Sequence, residues 1–197
     1  MNYEIHITVN TTDIDKFKSD CESIGLKAIV IETENNNNFE NQVMTSSKHS
    51  GDDYKPKLDS IVCKLQEIGY TILRQKVEIE PCMTRKKHPD HLYYETHFRL
   101  KLPIGFDLDF HKNDIKSLSY HLSKNVFKKD DTHYYQMITY RNRKSEDYFY
   151  FMFFINMMLI SRYLKYYNIK YDKIEIEECI YDTNISVDQS WLYDSVL

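Results

Sequence analysis

The chain writes one pattern twice, and that duplication leaves few folds open to it. In "YEIHITV", residues 3 to 9, Glu4, His6 and Thr8 fall on one side of an extended strand and Ile5, Ile7 and Val9 on the other. "YETHFRLKL", residues 94 to 102, repeats the arrangement with Glu95, His97, Arg99 and Lys101 on one side. Near the end of each half stand "KVEIE" at 76 to 80 and "KIEIE" at 173 to 177, which mark corresponding strands. A pattern used twice means a supersecondary unit used twice.

The elements between these anchors keep the same order. After the first strand, Thr12 or Asp13 can cap a helix whose apolar positions Ile14, Phe17, Cys21 and Ile24 recur at helical spacing, with Gly25 at its end. "KAIVIET" and "NQVMTSSKH" read as strands. A second helix carries Leu58, Ile61, Val62, Leu65 and Ile68 on one stripe and stops at Gly69, before the strand "TILRQKVEIE". In the second half the order is the strand at 93 to 102, a helix over 113 to 125, and a strand pair at 126 to 129 and 132 to 142. A long helix over 145 to 168 and the strand "DKIEIEECIY" complete it.

This β-α-β-β-α-β order is that of a ferredoxin-like unit. The expected fold is therefore α+β: two tandem ferredoxin-like units with antiparallel sheets facing a shared polar cleft. The first unit spans 1–81, a linker 82–92, the second unit 93–180, and a tail, 181–197, packs back through Trp191.

Composition narrows the function. Lys and Arg number 26 against 30 Asp and Glu, a net charge of −4, which speaks against binding double-stranded DNA. "TRKKH" at 84 to 88 and "RNRK" at 141 to 144 are short runs of the solvated kind. The four cysteines, at 21, 63, 82 and 179, show no CxxC spacing and read as reduced thiols, which predicts a cytoplasmic protein. "YFYFMFFINMMLI" at 148 to 160 is thirteen residues long, against the ~20 a spanning helix needs, so a buried helix and no membrane contact are expected. "NNNN" at 35 to 38 and the Lys, Ile, Tyr and Asn bias point to an AT-rich genome, viral or protist.

If helices cover one face of each sheet, alternation leaves the other face to Glu4, His6, Thr8, Lys76, Glu78, Glu80, Glu95, His97, Arg99, Lys101, Glu175 and Glu177. In a ferredoxin-like unit the first and fourth strands are neighbours, so His6 should approach Glu78 or Glu80, and His97 Glu175 or Glu177. An ordinary solvated sheet face accounts for such a set about as well. Imidazoles in a cleft, however, can exchange protons near neutral pH. "MTSSKHSG" adds Ser46, Ser47, Lys48 and His49, expected where the third strand turns into the second helix, as an anion site at a helix N-terminus. A metal held by His6, His97, His49 and a glutamate ranks behind phosphate binding. His88, His91, His111, His121 and His133 are expected on loops or helix surfaces.

His6-Ile7-Thr8 resembles the His-x-Thr/Ser motif of the two-histidine phosphoesterases, whose two lobes each supply one such motif. That resemblance implies His6 and His97 as metal-free general base and acid, with Thr8 holding phosphate. His97-Phe98-Arg99 departs from the motif, having Arg where Thr or Ser belongs. The duplicated architecture also resembles the triphosphate-tunnel enzymes. Their first-strand Glu-x-Glu-x-Lys is replaced here by Glu4-Ile5-His6-Ile7-Thr8, while Glu78 with Glu80 and Glu175 with Glu177 form carboxylate pairs able to hold Mg²⁺. Lys76, Arg99, Lys101 and Arg141 make a thin basic ring for phosphates. A group of small proteins without assigned activity is also similar, through "HITV", "MTSSKH" and "YDTN"; it draws attention to Met44, Ser46, Ser47, His49, Asp182 and Asn184.

The leading expectation is a phosphoesterase-like hydrolase acting on a phosphorylated small molecule or the (cyclic) phosphate of an RNA end, without a cofactor. Catalysis falls to His6 and His97. Substrate binding falls to Thr8, Arg99, Lys101, Lys76, Ser46, Ser47 and His49, with Glu4, Glu95, Glu78, Glu80, Glu175 and Glu177 in support. A non-enzymatic module binding an anion or a protein partner, and a Mg- or Zn-dependent triphosphate enzyme, are the other classes.

Overall fold

The computed structural model describes residues 1–35, 38–81, 88–129, 131–142 and 146–185. Most of the expected linker, the end of the "RNRK" run and the tail with Trp191 lie outside the described residues. The chain is mixed α+β. In the first half β1 (Asn2–Asn10), α1 (Ile14–Ser23), β2 (Lys27–Asn35), β3 (Asn38–Ser50), α2 (Lys55–Glu67) and β4 (Thr71–Ile79) follow in order. The second half continues with β5 (Tyr93–Pro103), α3 (Lys112–Ser117), β6 (His121–Lys129), β7 (His133–Asn142), α4 (Glu146–Tyr166) and β8 (Lys170–Asp182).

The strands do not form two sheets facing a cleft. They close into one antiparallel barrel of eight strands, in the order β1-β3-β2-β6-β7-β5-β8-β4. The neighbour order within the first half, β4-β1-β3-β2, is repeated as β8-β5-β7-β6 in the second. Two seams join the halves. At one, β2 pairs with β6 over Ile31–Asn125, Glu32–Lys124 and Thr33–Ser123. At the other, β4 pairs with β8 from Lys76–Asp182 to Ile79–Glu178, with a register shift beside Glu78. Closure satisfies the backbone groups that two open sheets would leave at their edges.

The fully buried apolar residues of the strands face outward, onto helices. Ile5, Ile7, Val77 and Ile79 pack with Phe17, Cys21, Leu58, Ile61 and Leu65 in one core. Phe98, Leu100, Leu102 and Ile138 pack with Ile115, Ile160 and Leu164 in another. Each such side chain contributes about 1.5–3 kcal/mol when fully buried. That energy seats the helices outside the barrel and turns the polar strand face inward.

The two halves end their helices in the same way with different residues. Gly25 and Gly69 take φ of 73° and 94° after α1 and α2. After α3 and α4 the left-handed positions belong to Ser119 (φ 65°) and Asn168 (φ 54°). The helix expected over 113 to 125 stops at Ser117, because the chain reverses at Ser119 and β6 begins at His121. The long aromatic helix is not buried all round. Ile160 and Leu164 are buried, whereas Phe154, Met158 and Leu159 are exposed. Among the described residues no helix is long and apolar enough to cross a membrane. Cys21, Cys63 and Cys179 are free thiols.

Candidate functional site

The inward faces enclose a cavity of about 280 Å³. Of the residues expected on the polar faces, Glu4, His6, Thr8, Lys76, Glu78, Glu95, His97, Arg99, Glu175 and Glu177 line it. Glu80 stands in an adjoining hollow at the rim, and Lys101 lines neither space. Ser46 lines the cavity, but Ser47 and His49 do not. The segment holding them runs straight through β3 rather than turning into a helix, so alternation sends Ser47 and His49 to the outer face opposite Ile5 and Tyr3. There His49 Nε2 lies 2.8 Å from Ser47 Oγ, and its imidazole ring stands 5.7 Å from the Tyr3 ring. The phosphate cluster expected at a helix N-terminus is thereby split.

Strand pairing aligns the two halves residue by residue. His6 lies opposite Ser46 and Lys76, and His97 opposite Thr139 and Glu175. Glu4 lies opposite Lys48 and Glu78, and Glu95 opposite Arg141 and Glu177. Thus Glu78 corresponds to Glu177 and Lys76 to Glu175. The likeness of "KVEIE" to "KIEIE" is displaced by two residues from the pairing.

Each imidazole sits between two carboxylates. His6 Nε2 is 3.1 Å from Glu78 and 3.6 Å from Glu4. His97 Nε2 is 3.2 Å from Glu177 and 3.3 Å from Glu95. Lys76 connects the halves, its Nζ 2.6 Å from Glu78 and 2.7 Å from Glu95. Arg141 also grips Glu95 and stacks 4.8 Å from the Tyr93 ring centroid. Lys48 reaches Glu4 at 3.1 Å.

The repeat is broken at one hydrogen bond. His97 Nδ1 lies 2.8 Å from Thr139 Oγ1. The corresponding hydroxyl, Ser46 Oγ, instead donates to Glu4 at 2.5 Å. His6 Nδ1 is buried without a hydrogen-bond partner among the described residues.

These contacts set the charges. Burial alone would lower the pKa of His97, but its pairs with Glu177 and Glu95 hold it at about 10. His6 is likewise raised, against its burial, by Glu78 and Glu4. Glu177 falls to about 2 because His97 outweighs its desolvation. Glu95 lies well below the usual carboxylate range, with Arg141 and Lys76 overcoming burial. Glu78 alone is raised, by burial and by the facing charge of Glu177. The His97 imidazole is therefore a cation at neutral pH, and His6 is shifted toward the same state.

Ligand atoms of Glu78, Glu95, His97 and Glu177 all lie within 4.8 Å of one another. The three carboxylates suit a hard divalent cation such as Mg²⁺ or Mn²⁺, which would compete with Lys76 and Arg141 for Glu78 and Glu95; the charged His97 imidazole would have to lose its proton to ligate. This set, rather than the three histidines weighed from sequence, is the one that converges.

Ser46, Lys48 and Arg141 were expected as anion or phosphate groups; Thr139, Arg74 and Tyr93 were not. Lys48 and Arg141 occupy matching third-strand positions, as do Ser46 and Thr139, and period-two spacing from Met44 and Met137 marks both pairs. Arg74, a lining residue, is paired with Asp182 at 2.9 and 2.5 Å, and Tyr93 donates to Asp182 at 2.7 Å. His91, His111 and His121, expected at the surface, are buried: His91 against Glu178, His111 against Tyr163. No family model matches the chain, and no curated protein matches it.

Proposed function

We propose that the barrel lumen is a divalent-metal-dependent phosphohydrolase site, of the triphosphate-tunnel kind, acting on a phosphorylated small molecule. We infer too that the barrel arose by duplication of a ferredoxin-like unit, which the shared neighbour order of the halves supports. The observation that carries the functional reading is the convergence of Glu78, Glu95, His97 and Glu177 inside a closed barrel that also presents lysines and arginines.

The residues divide the work by charge. Glu78, Glu95 and Glu177 would hold the cation, and His97 would join them only on giving up its proton. When bound, such a cation neutralises phosphate charge and polarises a phosphoryl oxygen. Lys27, Lys48, Arg99 and Lys173 line the same space and can bind the remaining phosphate oxygens. His6, with Nε2 turned to Glu78, leaves Nδ1 for a ligand. The buried carboxylates Glu78 and Glu95 lie away from solvent, so interactions with them are stronger than on an open face.

The raised pKa values bear on the metal-free two-histidine reading. A general base near pH 7 has to be neutral, and His97 is held charged by its flanking glutamates, with His6 shifted in the same direction. His97 fits better as a cationic donor than as half of an acid and base pair.

The test is turnover of nucleoside triphosphates and of cyclic nucleotide phosphates, with Mg²⁺ or Mn²⁺ and with EDTA. Metal-dependent triphosphate cleavage that drops at least ~100-fold in Glu177→Gln is expected. Cleavage of a cyclic phosphate that persists in EDTA would transfer the function to the histidines alone. Ligand-dependent shifts in melting temperature without any turnover would make the lumen a binding module.

A further inference from the structure

The lumen has two unlike walls. All five of its glutamates stand on β1, β4, β5 and β8. The adjoining strands β3, β2 and β7 contribute Met44, Ile29, Ile31, Met137 and Tyr135 to the same cavity, and β6 contributes Ser123. None of the first five belongs to either helix-covered core. Ile29 and Met44 are direct neighbours across β2 and β3, and Tyr135 and Met137 stand on β7 beyond Ser123 of β6, so the apolar groups form two patches flanking β6. The side chains are partly exposed, and what they are exposed to is the lumen.

An apolar surface of two patches facing a charged wall within one lumen is unexplained by folding. The barrel would close as well with polar residues there, and leaving Ile or Met wet forfeits about 1.5–3 kcal/mol each relative to full burial. It is explained by a ligand with two ends. We propose that the lumen takes an organic phosphate, one bearing an apolar or planar group such as a nucleobase, and discriminates against inorganic polyphosphate. This rests on the phosphohydrolase reading for the phosphate end only. The phosphate lies toward the glutamate and histidine wall with its cation; the organic group lies against Ile29, Ile31, Met44 and Met137. Arg99, held 5.6 Å from the Tyr135 ring centroid and paired with Asp172, stands between the two regions. A cavity of about 280 Å³ is close to the lower end of the ~300–1,000 Å³ typical of small-molecule sites, which fits a single nucleotide-sized ligand and not a folded macromolecule.

The experiment compares ATP with inorganic tripolyphosphate, in Mn²⁺, on wild-type protein and on Ile31→Thr and Met44→Gln. Each variant is first checked for native melting. The wild type should favour ATP in kcat/KM, and each variant should lower the ATP-to-tripolyphosphate ratio about 10-fold or more. Equal use of both compounds, or a ratio unmoved by either variant, overturns the proposal. Should no turnover occur at all, the phosphohydrolase reading fails while this one is still decided by binding. A melting shift larger with ATP than with tripolyphosphate, and reduced in the variants, supports it; equal shifts, or none, overturn it.

Discussion

At neutral pH the His97 imidazole lies between Glu95 and Glu177, 3.3 and 3.2 Å away, with Nδ1 against Thr139. Its pKa of about 10 in the folded chain exceeds the ~6.5 of an unfolded histidine. A raised folded pKa stabilises the fold fully below ~6.5, and that contribution disappears as pH climbs to about 10. Lys76 and Arg141 face the same carboxylates and stay charged across this window, and the raised pKa of His6 acts with the same sign. Chemical denaturation between pH 6.5 and 10 should show wild-type stability falling by on the order of a few kcal/mol, with a smaller fall in His97→Gln. Equal slopes for the two proteins would mean that the imidazole is not held charged. The same comparison explains what alternation could and could not say about single residues. The side of the strand on which His97 lies follows from its two neighbours in sequence; its charge follows from Glu177, eighty positions away.

Among the elements, the helix ends show how one architecture tolerates two chemistries. Leu26 and Tyr70 donate back to Cys21 and Leu65 across Gly25 and Gly69. Tyr120 and Ile169 make the same bonds to Ile115 and Leu164 across Ser119 and Asn168. A side chain in this left-handed region costs roughly 1–2 kcal/mol, least for Asn, and Gly removes the cost. Ser119→Gly should therefore raise stability by about 1 kcal/mol in urea denaturation, while Gly69→Ala lowers it by a similar amount. A destabilised Ser119→Gly would show that the hydroxyl, and not the backbone, is what matters there. Sequence spacing placed three of the four helices within a few residues. It overran α3, because no glycine marks its end and Tyr120 and Leu122 fit a helix pattern as readily as a strand.

For the molecule as a whole, the decisive contacts cross between halves. Asp182 on β8 is clamped by Arg74 on β4 and by Tyr93 on β5, and its side chain is fully buried. Removing one partner of a buried ion pair costs about 3–5 kcal/mol. Asp182→Ala should lower unfolding free energy by that amount within one cooperative transition, since both cores share the barrel strands. Two separate calorimetric transitions, or a loss under ~1 kcal/mol, would mean that the halves are energetically independent. What the sequence determined alone was local: the alternation that sorts each strand into a wet and a dry face, the helical stripes that need the dry face, and the doubling of both. Tertiary structure decided the rest, because register and closure depend on partners distant along the chain. It turned two open sheets into one barrel, moved Ser47 and His49 to the outside, and joined Glu78 and Glu177 rather than the residues that look alike. Alternation has a period of two and so carries no information about which strand lies next; only hydrogen bonds across the β2–β6 and β4–β8 seams, and the charges they force together, supply it.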